Sequence, residues 1–226
     1  MNIDLVVFDI AGTTVTDKGN INKCFRKAFL HAGINVKPGD VDKVMGYKKM
    51  EAIKIIADKY LPQKEINSKV LNAIHDDFTK QMVIFYESEP CIKPLPFAQA
   101  IFNKLQKRNI RVALNTGFTR IITDAVLKRL GWDACTFIDT IVCSDEVSEG
   151  RPYPFMIKKI MKQLNISNPK KVAKVGDTKA DIEEGRNAGC GLVVAITTGS
   201  YKKKQLQKFH PDYIIDSLQQ LPALIK

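Results

Sequence analysis

The sequence predicts a doubly wound α/β fold, a parallel sheet flanked by helices, with a small α-helical cap inserted after the first strand. Three observations predict it. From about residue 97 onward, short β-branched apolar runs alternate with stretches of helical periodicity, the pattern of βαβ units. One strand-like run stands apart at the N-terminus, and between it and the alternating part lies a block in which every apolar pattern is helical. Polar and charged side chains also recur at the ends of the strand-like runs, where open α/β sheets bind ligands. At 226 residues and 45% hydrophobic composition, the chain can bury one full core and a smaller subdomain.

The first strand is the run Ile3 to Phe8, which ends at Asp9 and is broken by Ala-Gly-Thr-Thr. Helical spacing then appears in Cys24-Phe25-Ala28-Phe29, Ile53-Ile56-Ala57-Tyr60 and Val70-Ile74-Phe78-Met82. The prolines in Glu89-Pro90 and Pro94-Leu95-Pro96 mark the linker out of this block. The expected division is a core of 1–16 and 91–226 and a cap of 17–90. Within the core, helices are expected at about 97–107, 119–130, 154–164 and 179–188. Strands are expected at 111–115, 140–143, 172–175, 191–196 and 212–215, joined by crossovers that make the sheet parallel.

Composition narrows the function. Five cysteines, at 24, 91, 135, 143 and 190, are scattered without C-x-x-C spacing, which argues against a disulfide framework or a zinc site and for a reducing cytoplasm. No signal-peptide pattern opens the chain, and no apolar run approaches the roughly 18–20 residues of a membrane span. The net charge of +11 suits a small anionic substrate or a nucleic acid, and equally the solvent faces of helices. The densest basic run, Lys202 to Lys204, has no aromatic interleaving, which argues against nucleic acid. His31, His75 and His210 lack metal-ligand spacing, and Trp132 and Cys24 read as packing residues.

Each strand end carries chemistry that also has a plain structural reading. Asp9, followed by Gly12, Thr13 and Thr14, is either a helix cap or a carboxylate fixed on a tight turn to attack phosphorus. Thr116 and Gly117 offer a hydroxyl and main-chain N–H groups to phosphate oxygens, or a simple cap. Arg151, in Glu-Gly-Arg-Pro, is a permanent cation suited to phosphoryl charge, or a surface residue. Asp177 and Asp181 stand four apart where a strand turns into a helix, which suits a hard cation such as Mg²⁺, or helix-start acids favoured by the dipole. All four signals together, in this order, point to phosphoryl transfer.

In that order these motifs resemble the haloacid dehalogenase superfamily of phosphohydrolases, with a Rossmann-like core, over nearly the whole chain. The resemblance implies that Asp9 forms an aspartyl-phosphate. It further implies that Mg²⁺ is held by Asp9, the Ala11 carbonyl, Asp177 and Asp181, and that Thr116 and Arg151 contact the phosphoryl group. The block after Thr16 would be the mobile cap that supplies specificity.

Position 11 departs from most phosphatases of the family, which carry an acid there; its loss costs about 10²–10⁴ in rate where the leaving group needs a proton. Asp-x-Ala-Gly-Thr-Thr-Val resembles the phosphonatase branch, the phosphonoacetaldehyde hydrolases. Thr116-Gly117-Phe118-Thr119-Arg120 and Gly150-Arg151-Pro152-Tyr153-Pro154 resemble it too, as do Val175-Gly176-Asp177-Thr178 with Glu184-Gly185-Arg186-Asn187-Ala188-Gly189, and Met45-Gly46-Tyr47-Lys48-Lys49 in the cap. In that branch a cap lysine, matched by Lys49, forms a Schiff base with an aldehyde, so the leaving carbon becomes an enamine and needs no acid. The required fall in the lysine pKa would come from burial or from Lys48. Ala52 stands where the branch has a histidine, and the tail around His210 to Ser217 is more similar to phosphoglycolate-type phosphatases.

The alternative is therefore a small-molecule phosphate monoesterase in which Lys49 only contacts the anion. Metal-free dehalogenases fit less well because Gly-Asp-Thr-x-x-Asp is intact, and a silent binding protein fits less well because every motif residue is retained. A homodimer through the cap is seen in relatives of the branch and is a further expectation.

Overall fold

A computed structural model describes residues 2–89 and 92–225. Pro90 and Cys91, on which part of the expected linker and the cap boundary fall, lie outside the described residues. Six strands form one sheet: β1 (Leu5–Asp9), β2 (Arg111–Thr116), β3 (Thr140–Cys143), β4 (Val172–Gly176), β5 (Leu192–Ile196) and β6 (Tyr213–Ile215). Their order is β3-β2-β1-β4-β5-β6 and every pairing is parallel. β1 is central, and the chain winds to one side through β2 and β3 and to the other through β4 to β6. All the carboxyl ends therefore share one edge, and the direction of winding reverses beside Asp9.

The strands are buried on both faces, and their alternation assigns each residue to one of two cores. Val6, Phe8, Val112, Leu114, Ala173 and Val175 face one apolar cluster; Leu5, Val7, Ala113, Val142, Val172 and Val193 face the other. Helices α5 (Ala98–Gln106) and α6 (Arg120–Leu130) cover the first face, and Ile101, Phe102, Leu105, Ile122 and Val126 supply their stripes. Helices α7 (Phe155–Gln163) and α8 (Lys179–Asn187) cover the second with Met156, Ile157, Ile160 and Ile182.

The inserted block is helical: α1 (Asn20–His31), α2 (Pro38–Asp42), α3 (Lys49–Tyr60) and α4 (Ser68–Ser88). Phe25 of α1 and Phe78 of α4 meet at a ring-centroid distance of 4.4 Å, and Tyr86 of α4 meets Phe118 at 5.9 Å, edge to face. Phe25, Phe78, Phe118, Phe8 and Phe102 belong to one continuous apolar cluster, so the inserted helices share a core with the sheet face beneath them. Two features were not foreseen from sequence: the short helices α9 (Lys203–Leu206) and α10 (Leu221–Leu224). Cys24 is half-buried rather than core, whereas Trp132 is buried as expected. No helix among the described residues is long and apolar enough to cross a membrane.

Phe102 is the keystone of the first core: fully buried, 5.0 Å from Phe8, 5.6 Å from Trp132 and 6.1 Å from Phe137 between ring centroids. Phe102→Ala is expected to cost about 3–5 kcal/mol through lost burial and the cavity it leaves. Equilibrium urea unfolding followed by the fluorescence of Trp132 measures it directly, since Trp132 is the only tryptophan.

Candidate active site

The carboxyl edge of the sheet gathers the side chains singled out from sequence. Asp9 closes β1 and its neighbour across the ladder is Asn115 of β2. The turn after it is tied back by Thr14, whose hydroxyl donates to the carbonyls of Asp9 and Ile10 at 3.0 and 3.1 Å. Gly12 adopts a left-handed φ of +87° against Asp177 and Gly199, where a side chain would have no room. Thr116 closes β2, and its Oγ1 accepts from the Phe118 N–H at 3.1 Å, which leaves the hydroxyl proton free for an incoming oxygen.

Asp177 and Asp181 flank the start of α8. Both Asp177 oxygens accept from the loops facing it: Oδ1 from the Thr13 hydroxyl at 3.2 Å and Oδ2 from the Ser200 N–H at 2.6 Å. Asp181 does double duty. Its Oδ2 completes a capping box with Thr178, accepting from the Thr178 hydroxyl at 2.5 Å and N–H at 3.2 Å. Its Oδ1 lies 3.0 Å from Arg151 Nη1 and 2.9 Å from Lys174 Nζ, as ionic contacts rather than aligned hydrogen bonds. The metal reading and the helix-start reading of this residue thus both hold in part.

Arg151 is buried, and its fork is fully engaged. Nη1 donates to Asp9 Oδ1 at 2.6 Å, Nη2 to the Asn115 carbonyl and Oδ1 at 2.7 and 2.6 Å, and Nε to Glu184 Oε2 at 2.9 Å. Contact with a substrate oxygen would require one of these to be released. Lys174, not singled out from sequence, and Glu184, noted there only as the start of the Glu184 to Gly189 motif and given no role, complete the cluster and are wholly buried. The signal was present: Lys174 has the core-facing strand parity of Val172, and Glu184 lies one turn after buried Ala180 in α8. A charge at such a position demands buried partners.

These groups shift one another. Burial raises the Asp9 pKa, with Arg151 pulling the other way. Burial and the nearby Asp9 and Asp181 carboxylates push Asp177 well above the usual range. Asp181 is held below it, against burial, by Arg151 and Lys174. Counted as charges, Asp9, Asp177, Asp181 and Glu184 face Arg151 and Lys174, with Lys49 as a third cation when protonated, so carboxylates outnumber cations in either state of Lys49. Asp9, Asp177 and Asp181 each offer an oxygen within 4.8 Å of the others. Three convergent carboxylates, an excess of negative charge and a buried Asp181 oxygen with no aligned donor fit a hard divalent cation such as Mg²⁺.

The inserted helices reach this edge through the loop before α3. Gly46 adopts φ +86°, and a Cβ there would fall 2.5 Å from the Thr178 hydroxyl; a Cβ on Gly117 would fall 2.8 Å from the Gly46 carbonyl. The two glycines let loop 45–48 lie directly on the turns after β2 and β4. Lys49, the first residue of α3, points into the site and is only 3% exposed. Its Nζ lies 5.1 Å from the Phe118 ring centroid and 5.6 Å from that of Phe25, and donates weakly to the Tyr47 carbonyl at 3.4 Å. Desolvation lowers its pKa from the usual 10.5 to about 8. Lys48 does not cause this shift. It turns away and donates to the carbonyls of Val147 and Ser148 at 3.1 and 3.2 Å. Asp9, Ala11, Gly46, Lys49, Thr116 and Asp177 line one common cavity of about 20 Å³, roughly the room of one water, so the site is closed over.

Comparison with known proteins agrees with this architecture. A family model described as haloacid dehalogenase-like hydrolase matches residues 6–195. The phosphonoacetaldehyde hydrolase of Latilactobacillus sakei is 30% identical over 99% of this chain and 95% of its own length. That of Bacillus cereus strain G9842 is 31% identical over 88% of this chain and 78% of its own. Among solved structures, a phosphonoacetaldehyde hydrolase-like protein from Oleispira antarctica superposes with a TM-score of 0.82 at 25% identity, covering 99% of this chain and 91% of that one. A hydrolase from Pseudomonas syringae shares the fold, with a TM-score of 0.86 at 18% identity over 99% of this chain and 100% of that one.

The excess of negative charge makes a prediction that needs no substrate. Saturating Mg²⁺ is expected to raise the melting temperature by about 5–10 °C, the mass-action effect of a ligand bound only by the folded state. Asp177→Asn is expected to remove most of that rise in a calorimetric scan, and a chelator all of it.

Proposed function

Because the chain belongs to the haloacid dehalogenase-like hydrolase family, in its phosphonatase-like branch, we propose that it is a Mg²⁺-dependent hydrolase that cleaves the C–P bond of a small anionic phosphonate aldehyde. Phosphonoacetaldehyde, the substrate in the names of its relatives, is the first choice. One observation carries this reading: a buried lysine amine with a pKa lowered to about 8 shares a closed cavity with Asp9, while position 11 supplies no acid.

The chain's own residues divide the work as follows. Neutral Lys49 adds to the aldehyde carbonyl and, with loss of water, forms an imine that is protonated at nitrogen. Asp9 then attacks phosphorus through its carboxylate. The P–C bond breaks, its electron pair passes into the C–C–N system to give an enamine, and phosphorus remains on Asp9 as an aspartyl-phosphate. Protonation of the enamine carbon and hydrolysis of the imine free the aldehyde product and Lys49. Water hydrolyses the aspartyl-phosphate. The electron sink is the iminium, so no proton has to be delivered to the leaving carbon as it departs, and Ala11 suffices.

Arg151 holds Asp9 Oδ1 and so fixes which carboxylate oxygen is free to attack. The Thr116 hydroxyl and the Gly117 N–H would receive phosphoryl oxygens, whereas the N–H groups of Gly12 and Thr13 are committed to the carbonyls of Val15 and Ile10 at 2.7 and 3.3 Å. Mg²⁺ held by Asp9, the Ala11 carbonyl and Asp177, with Asp181 beside it, would neutralise charge on phosphorus and on the nucleophile. The cavity of about 20 Å³ cannot admit a phosphonate, so loop 45–48 and the helices behind it act as a cap that opens for entry. Four free thiols among the described residues, at Cys24, Cys135, Cys143 and Cys190, support a cytoplasmic setting.

A second reading is favoured by Ala52. It is fully buried one turn along α3, so no imidazole assists Lys49 where the branch carries a histidine. On that reading Lys49 holds the anion of a phosphate monoester without covalent chemistry. Borohydride separates the two. With Mg²⁺ and phosphonoacetaldehyde, phosphate release and a reduced adduct on Lys49 by peptide mass analysis are expected. Absence of both, with turnover of a phosphate-ester panel, would replace the first reading by the second. Asp9→Asn is expected to abolish release in either case.

The lowered pKa gives two further expectations. Imine formation needs the neutral amine, so kcat/KM should rise about tenfold per pH unit up to about pH 8 and then level. The folded pKa of Lys49, about 8, lies below the unfolded 10.5, so the unfolded chain binds more protons between these values and stability rises with pH across that window. At pH 7 the buried ammonium is therefore a cost of about 3 kcal/mol, and Lys49→Met should be more stable than the parent by that order in urea unfolding.

A further inference from the structure

The second face of the sheet is apolar except at its carboxyl edge, where Asn115, Lys174 and Glu184 lie wholly buried. None of the three lines the cavity shared by Asp9 and Lys49. They are bonded to one another and to Arg151 with no donor left over. Glu184 Oε1 and Oε2 accept from Asn115 Nδ2 at 2.8 and 2.9 Å. Glu184 Oε2 also accepts from Arg151 Nε at 2.9 Å and lies 3.4 Å from Lys174 Nζ. Asn115 Oδ1 accepts from Lys174 Nζ at 2.7 Å and from Arg151 Nη2 at 2.6 Å. Glu184 therefore fixes the orientation of the Asn115 amide and anchors the rear of the guanidinium, and the front, Nη1, meets Asp9.

The charges close in the same way. Lys174 and Arg151 are matched by Glu184 and Asp181, so this cluster is neutral without Asp9 and Asp177, which are left to face Lys49 and a divalent cation. Remove the charge of Glu184, and Arg151 and Lys174 draw on the carboxylates that face the cation.

Resting on the reading of Asp9 and the divalent cation given above, we propose that Glu184 is a positioning residue: it anchors Arg151 against the nucleophile and balances Lys174, so that Asp9 and Asp177 remain free to bind Mg²⁺. It acts through these groups and does not touch substrate.

Glu184→Gln keeps the shape and removes the charge. Mg²⁺ affinity, measured by calorimetry on the protein without substrate, is expected to weaken about tenfold or more, and kcat to fall while KM for substrate changes little. The double variant Glu184→Gln/Lys174→Met restores neutrality and is expected to bring Mg²⁺ affinity back to within about threefold of the parent, which simple damage to packing would not do. Parental Mg²⁺ binding in a folded Glu184→Gln protein, or a folded double variant no better than the single one, overturns the proposal. Should Glu184→Gln not fold, Glu184→Asp takes its place. With the charge kept but the anchor shortened, it should bind Mg²⁺ like the parent and lose kcat; parental kcat, or loss of Mg²⁺ binding, counts against the proposal. A parent that binds no Mg²⁺ in calorimetry would instead remove the metal reading on which this one stands.

Discussion

At the carboxyl edge of the sheet four carboxylates, Arg151 and Lys174 are packed out of water, with the Lys49 amine over them, and the surrounding structure depends on how that charge is met. Desolvation makes each of these groups expensive alone, and only dense mutual pairing keeps them ionised. Asp177 shows what happens where pairing is incomplete: it accepts hydrogen bonds from Thr13 and Ser200, but no cation lies against it, and its pKa climbs. Asp181, in contact with Arg151 and Lys174, is shifted the opposite way. Two aspartates four residues apart on one helix start are thus given different characters by neighbours from other strands. The parallel winding makes this arrangement available, because it brings β1, β2 and β4 side by side with their ends level.

The cap obeys a different constraint, close approach of backbone to backbone. Loop 45–48 rests on the turns after β2 and β4 only because Gly46 and Gly117 carry no side chain. Lys48 then ties the loop to the carbonyls of Val147 and Ser148, just before the segment that bears Arg151. With the loop in place, Lys49 has nowhere to go but inward, under Phe118 and Phe25. Neighbouring lysines of one chain segment thereby acquire opposite environments, one satisfied by main-chain oxygens at the edge and one stripped of water.

Much of this was legible in the sequence, for identifiable reasons. Strands show as β-branched runs and helices as apolar spacing, so the order of elements and the strand ends followed, and Asp9, Thr116, Arg151 and Asp177 were read off as the residues at those ends. Period and position do not report partners. Lys174 and Glu184 look like ordinary charges in a strand and a helix until the parity of Val172 and Lys174 is set beside the register with β1. The source of the Lys49 shift was also open in the sequence, between burial and the adjacent Lys48, and three-dimensional packing shows burial to be the cause. The helices α9 and α10, at four residues each, are too short to display a period.

On the proposed reading, the pairing of Ala11 with Lys49 follows from the proton requirements of the two bond types. A phosphate ester releases an alkoxide and needs an acid near the leaving oxygen, which in this fold would stand at position 11; a side-chain carboxyl there would also add a fifth negative group to an edge where carboxylates already outnumber cations. A lysine imine moves the electron sink into the substrate and makes that acid unnecessary. Its requirement is an amine that is neutral part of the time, and a closed, dry cap supplies this by desolvation alone. On the proposed reading, the same packing of loop 45–48 that covers Asp9 also desolvates Lys49, so that one contact serves both halves of the chemistry.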